Sequence, residues 1–434
     1  MSVITTAESS AAIAANNRKG RWGALFAMAF AFVSDNTEGG LVNTLFPVIR
    51  TSLGMDLGAL GILTSVSRFA RMLFGPLWAM AADKYGRKRI LILVTGVWGL
   101  WTAAAGLAQD FTQLLILYSI GVIGTVASEP ISNGLLADIF EENERGRAYG
   151  AIRSIGSAGG LILTPLIGQL SRDPEGWRIG MFIMGGISLL SGLLILFLVK
   201  EPQRHTPTDD ADFGKFKFRD VPALFKIPSV LLLAGMLPFV TSLVLFSFFV
   251  TYFVDVRGWQ NADAAILYTA FMAGFAISSF IGGLVGDWFD KRFGPKGRIM
   301  LMQMYLATFA VFSFIALQFD WGKGLEVYVV VFLFGLIGSI GFSGVVLPMV
   351  SAVTPVELSA TAFALLFSLI QGLISALMSL ALGFLAQTYG LPNVMFWLIT
   401  VPYAINAVYW FLFYRWYPQD VARAQAHRAA VLQA

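Results

Sequence analysis

The chain has 434 residues, 57% of them apolar and only 13% charged, with a formal net charge of +4 and a mean hydropathy of +0.72. Soluble domains carry roughly 25% charged residues, so lipid must face part of this surface, and an all-α polytopic membrane protein is expected. With no cysteine and only two histidines, His205 and His427, both in polar stretches, disulfides, thiolate metal sites, thiol catalysis and histidine relays at membrane depth are excluded. No cofactor or metal is expected. The basic residues flank apolar segments and do not point to nucleic acid.

Residues 1–21 are small and polar and end in Arg18, Lys19 and Arg21. A cleavable signal would place its apolar core nearer the start, so this stretch reads as a short disordered cytoplasmic tail before a self-inserting first span. A spanning helix needs about 20 predominantly apolar residues. Twelve segments qualify on inspection: 22–48, 57–82, 89–108, 111–137, 147–171, 177–199, 227–254, 263–286, 298–318, 325–351, 358–388 and 391–414. The polar stretch KEPQRHTPTDDADFGKFKFRD follows the sixth. The expected organisation is a six-helix bundle at 22–199, a cytoplasmic linker at 200–226, a second six-helix bundle at 227–414 and a cytoplasmic tail at 415–434. With the N-terminus inside, 22 of the 30 Lys and Arg fall on the cytoplasmic side, 5 fall outside, and Arg68, Arg71 and Arg153 lie within the membrane. The positive-inside rule then places both termini and the linker in the cytoplasm, as in a multi-pass protein of a bacterial inner membrane.

Two connections look alike. DKYGRKR (83–89) joins the second and third segments, and GGLVGDWFDKRFGPKGR (282–298) joins the eighth and ninth. Asp83 and Asp287 each end an apolar segment and precede a basic cluster. LLADIFEENERGRAYG (135–150) and, more weakly, MVSAVTPVELSATAFA (349–364) form a second pair. Related turns at the same place in both halves indicate an internal duplication.

These residues resemble the major facilitator superfamily. Its signature between helices 2 and 3, G-x-x-x-D-[RK]-x-G-[RK]-[RK], is matched from Ala79 to Arg89 through Asp83, Lys84, Gly86, Arg87 and Lys88, with Ala79 in the first glycine's place. The second copy keeps Gly283 and Asp287 and then diverges, and Asp138, Arg145 and Gly146 fit the pattern after helix 4. With the twelve-segment layout, the resemblance covers essentially the whole chain. It implies two six-helix bundles working by alternating access. It also implies a conformational latch of Asp83, Arg87, Lys88, Asp138, Arg145 and Asp287, closed in the outward-facing state and broken when the cytoplasmic side opens.

Ionisable residues at membrane depth are costly and are functional candidates by default. The chain has six, all in the first half: Asp35, Glu38, Arg68, Arg71, Glu129 and Arg153. A helical rise of about 1.5 Å per residue puts Asp35 and Arg71 near the midplane and Glu129 and Arg153 nearer the cytoplasm. Depth therefore allows Asp35 with Arg71 and Glu129 with Arg153. Asp35 and Glu38 share a helical face in SDNTEGG. Without a suitable histidine, Asp35, Glu38 and Glu129 are the candidate proton carriers, since burial favours the protonated carboxyl; permanent structural ion pairs are the alternative. Pro130 after Glu129 suggests a bent helix. Arg68, Arg71 and Arg153 either tune these carboxyls or bind an anionic substrate.

Two departures from the family pattern stand out. Tyr118 lies where many proton-coupled members carry arginine. GAIRSIGSAGGLILTPLIGQL (150–170) is similar to the glycine-proline motif of drug/proton antiporters, with Thr164 and Gln169 in place of expected glycines; small residues that let helices pack closely are the alternative reading. In the second half, Phe239, Phe246, Phe249 and Phe253 recur at helical spacing with Tyr252 beside them, a lipid-facing or core stripe or the wall of an apolar cavity. Phe246, Phe249 and Gln371 are candidate substrate contacts, with Tyr268 as a further polar group. No G-x-x-x-x-G-K-[ST] loop is present, and no nucleophile–base constellation supports an enzyme. The expectation is a secondary transporter, a monomer, most like drug/proton antiporters, that exports a lipophilic or amphipathic small molecule in exchange for protons. A proton symporter of a small organic anion and a lipid or lysolipid carrier are the alternatives.

Overall fold

The computed structural model describes residues 20–140, 142–201, 219, 221–240 and 242–433. Most of the expected linker, His205 included, lies outside them. Every regular element among the described residues is helical. In chain order these are α1 (Arg21–Leu53), α2 (Leu57–Tyr85), α3 (Arg87–Ala105), α4 (Phe111–Leu136), α5 (Glu144–Arg172), α6 (Gly176–Leu198), α7 (Pro228–Arg257), α8 (Asn261–Phe293), α9 (Pro295–Gln318), α10 (Leu325–Val353), α11 (Thr361–Tyr389) and α12 (Leu391–Arg428). The eleven from α2 to α12 are long and apolar enough to cross a membrane. The polar run SDNTEGG in the middle of α1 keeps that helix outside this set. Large apolar side chains stand exposed along the outer faces, Ile162, Phe280 and Phe411 among them. In water this would be a liability; in lipid it is the solvated face.

The chain packs as two compact units. One comprises Met1–Met55 and Phe69–Pro207, the other Asp56–Arg68 and Thr208–Ala434. The first part of α2 thus belongs with the second unit, a division within a helix that hydropathy could not register.

In the first unit, alanines 24, 27, 29 and 31 of α1 are buried with Met28, Leu91, Val94, Ile131, Leu135 and Ile195. Small side chains set the spacing. A Cβ on Gly96 of α3 would stand 2.7 Å from the Gly192 Cα of α6, so these helices touch through backbone. Gly156 and Gly159 of α5 lie against Phe32 and Val33 of α1, which gives the small residues of the 150–170 motif a packing role. At the end of α6 away from Leu198, Glu175 accepts hydrogen bonds from Arg178 and from Ser52 (2.8 Å), which hold its carboxyl below the usual range. Arg178 also donates to Gly106 O at 2.9 Å, where α3 ends.

The second unit is built on rings. Phe309 stacks on Tyr403 at 3.9 Å and meets Phe334 at 5.1 Å, and Phe271 joins Phe334 to Phe249, 5.3 Å from each. α7 is not one regular helix: Pro238 falls in a 3-10 turn at Leu237–Phe239, and the α-helix resumes at Ser242. The Phe239–Phe253 stripe therefore does not run on one continuous face. α3, α10, α11 and α12 each contain a wider π turn, at Ile92–Val97, Phe342–Val346, Ala364–Ile370 and Phe396–Thr400.

Candidate functional site

In the first unit the two acidic residues of α1 have different surroundings. Glu38 accepts hydrogen bonds from Thr102 of α3 and from Ser188 of α6 (2.9 Å), and Ser34 lies 3.4 Å from Ser188. Among the described residues neither buried oxygen of Asp35 has a hydrogen bond of good geometry, but the Ser128 hydroxyl stands beside the carboxyl as a donor, with Glu38 and Arg71 the neighbouring charges. Glu129 lies between two arginines, 3.2 Å from Arg153 and 3.6 Å from Arg71. Depth had allowed Glu129 with Arg153, and they meet. It had also allowed Asp35 with Arg71, but the ion pair of Arg71 is with Glu129. Depth fixes one coordinate and leaves the angle around each helix open.

The local sequence explains how Glu129 is presented. The α4 helix stops at Thr125 and restarts at Ser128. The Ala127 N–H turns back to Gly124 O, which releases the Ile123 carbonyl, and the Trp78 indole takes it at 2.7 Å. Pro130 has no N–H to offer Val126. Glu129 then occupies the first turn of the restarted helix, where the helix dipole favours a carboxylate. Tyr118, in the place of the family's arginine, lines a small pocket with Glu38, Thr102 and Thr125.

Arg68 and Arg71, expected on one face, go separate ways. In the second unit Arg68 donates to Ser379 of α11 (2.9 Å) and Ser247 of α7 (3.2 Å). That unit also holds a cleft bordering about 990 Å³ of open space, lined by Phe246, Phe275, Phe342, Phe367, Tyr305, Tyr403, Ser279, Ser339 and Gln371 among others, with no charged side chain in its wall. Gln371 is only 8% exposed. Of the three expected substrate contacts here, Phe246 and Gln371 line the cleft. Phe249 does not: it is fully buried among Phe253, Tyr268 and Phe271. Tyr268 is likewise a member of that ring stack and not of the cleft wall.

The charged turns have their own order. Gly86 (φ 102°) ends α2, and Arg87 then reaches Asp83 (2.9 Å) and Asp138 (3.0 Å). Gly134 leaves the room: a Cβ there would stand 2.5 Å from the Arg87 guanidinium carbon. Lys88 donates to Leu196 O at 2.8 Å, and Arg145 to Phe140 O at 3.1 Å. In the second unit Gly294 (φ 62°) ends α8, and the partner of Asp287 is Arg298 at 3.1 Å. Arg298 also binds Asp290 (3.2 Å) and Gly344 O (2.6 Å). Pro348 has no N–H for the Gly344 carbonyl four residues back, so the guanidinium fills that vacancy.

The profile of the Major Facilitator Superfamily matches residues 24–379. The chain belongs to the major facilitator superfamily. It is a multi-pass membrane transporter and not an enzyme. A hexuronate transporter of Bacillus subtilis (strain 168) is 26% identical over 72% of this chain and 70% of its own length. The probable sulfoacetate transporter SauU of Cupriavidus necator is 25% identical over 58% of this chain, and the multidrug resistance protein MdtG of Escherichia coli (strain SMS-3-5) is 27% identical over 59%. The matches span 62% and 60% of those two proteins. The fold resembles that of a bacterial homolog to the human lysosomal transporter Spinster in an inward-facing, occupied conformation, with TM-score 0.72 at 20% identity over 92% of this chain and 98% of that one. It also resembles a D-xylose-proton symporter, with TM-score 0.73 at 12% identity over 90% and 97%.

Within this superfamily member, sequence reading overlooked Ser34, Thr102 and Ser188 around Glu38. Single hydroxyls in apolar helices carry no signal until three helices bring them together. It also missed Arg298, eleven residues beyond Asp287, because the second charged turn is longer than the first. The Pro348–Gly344 spacing was the available clue.

Proposed function

We propose that this transporter works by alternating access and exports a lipophilic or amphipathic small molecule in exchange for protons. The reading takes the chain as one functional unit of twelve spans, α1 included, with both termini and the 200–226 linker in the cytoplasm of a bacterial cell. The observation that carries it is the aromatic cleft of the second unit, whose polar groups, Gln371, Tyr305, Ser279 and Ser339, orient a ligand without demanding a charge on it. Asp35 is the proton carrier: its carboxyl is buried at membrane depth beside the Ser128 hydroxyl and the charges of Glu38 and Arg71, where an ionisable group is a functional candidate by default. Glu129, neutralised by Arg71 and Arg153, relays the charge change. Asp83, Arg87, Lys88, Asp138, Arg145 and Asp287 form the cytoplasmic latch. The similarity to MdtG supports the substrate class.

One observation favours a second reading, proton-coupled uptake of a small organic anion. The side chains of Arg71 and Arg153 are about two-thirds exposed around a single carboxylate, which leaves one net positive charge facing open space. The similarity to proteins named for hexuronate and sulfoacetate points the same way. A lysolipid would combine both features. Transport assays in vesicles with an imposed pH gradient separate them. A lipophilic cation moved against Asp35-dependent proton flow supports export; movement of a carboxylate or sulfonate with protons, and not of the cation, replaces it.

A further inference from the structure

Glu38 stands apart from the other membrane-depth charges. It is 8% exposed, and among the described residues no basic side chain is paired with it. The charge coupled to it is that of Asp35, which is like in sign and compensates nothing, while Arg71 is paired with Glu129. A carboxylate in this environment needs a positive charge or a proton. Its surroundings offer more than a proton requires. Thr102 and Ser188 approach separate carboxylate oxygens from α3 and α6, and Ser34 of α1 lies 3.4 Å from Ser188. Five oxygens from three helices therefore form one chain of contacts through the carboxyl, all of them hard donors, with hydroxyl lone pairs still available.

The pocket beside Glu38 holds Thr125 and Tyr118 as well as Thr102. The charge count selects the ion: one carboxylate balances one monovalent cation, whereas a divalent ion would leave an excess charge in the bundle.

We infer that Glu38, Thr102, Ser188 and Ser34 bind one small monovalent cation, sodium, inside the first unit, at a site distinct from Asp35. The test is equilibrium binding of radioactive sodium to the purified full-length protein in detergent, at constant pH, with choline chloride holding ionic strength. Neither substrate nor a pH gradient is present, so the result stands whatever becomes of the proton-coupled reading. Wild type is expected to bind saturably. Glu38→Gln should abolish binding, and Thr102→Val and Ser188→Ala should each weaken it about tenfold. The two hydroxyl variants keep the test decisive if Glu38→Gln does not fold. Absence of saturable sodium binding in wild type, or binding that survives these substitutions, overturns the inference.

Discussion

Glu129 is held between Arg153 and Arg71 by ion pairs that face open space. Exposed pairs of this kind contribute only about 0–1 kcal/mol to stability. Glu129→Gln should therefore leave the melting temperature nearly unchanged while transport falls sharply; a large stability loss with normal transport would make the cluster purely structural. Gln371 presents the complementary case. Its amide lines the cleft and has no hydrogen-bond partner among the described residues, so Gln371→Leu should be neutral in stability to within about 1 kcal/mol. Its effect should appear as a raised KM for an amphipathic substrate. An unchanged KM would take Gln371 out of the binding site. The acidic and basic residues at membrane depth were legible in the sequence because charge in an apolar run is conspicuous. Their partners were not, because contact depends on which way each helix faces: Arg68 and Arg71, three residues apart, belong to different units.

At the scale of elements, helix interruptions and side-chain donors go together. Trp78 caps the carbonyl released where α4 breaks, and Arg298 caps the carbonyl that Pro348 cannot serve. Trp78→Phe should cost about 1 kcal/mol, the worth of an indole hydrogen bond to a carbonyl left bare. Arg298→Ala should cost more, about 1–3 kcal/mol, because it also abandons Asp287 and Asp290. Thermal unfolding in detergent checks both. Lys291→Ala and Arg292→Ala, at exposed positions, are the controls, and equal melting temperatures for Arg298→Ala and these controls would contradict the assignment. Pro130 made the break in α4 readable in sequence, whereas the breaks at Pro238 and Pro348 went unread although the same residue type marks them. The π turns in α3, α10, α11 and α12 left no comparable mark, since a single extra residue in a helical turn alters neither composition nor mean hydropathy.

At the scale of the whole molecule, the all-helical class and the membrane location followed from hydropathy alone, and the family from the turns at Asp83 and Asp287. α1 shows the limit of that approach: its polar run lowers the hydropathy of a helix whose Asp35 and Glu38 carry much of the proposed chemistry. The latch role proposed for Asp83 belongs to this scale. Asp83→Asn should slow turnover while leaving substrate affinity close to wild type, because Arg87 then loses one of its two carboxylates; equal loss of both would count against a latch. The central claim is that protons carried by Asp35 drive export. The most direct measurement follows a lipophilic fluorescent cation in inverted membrane vesicles under an imposed pH gradient, comparing wild type with Asp35→Asn. The account expects accumulation that requires both the gradient and Asp35. Gradient-driven accumulation that persists in Asp35→Asn, or none in wild type, would contradict it.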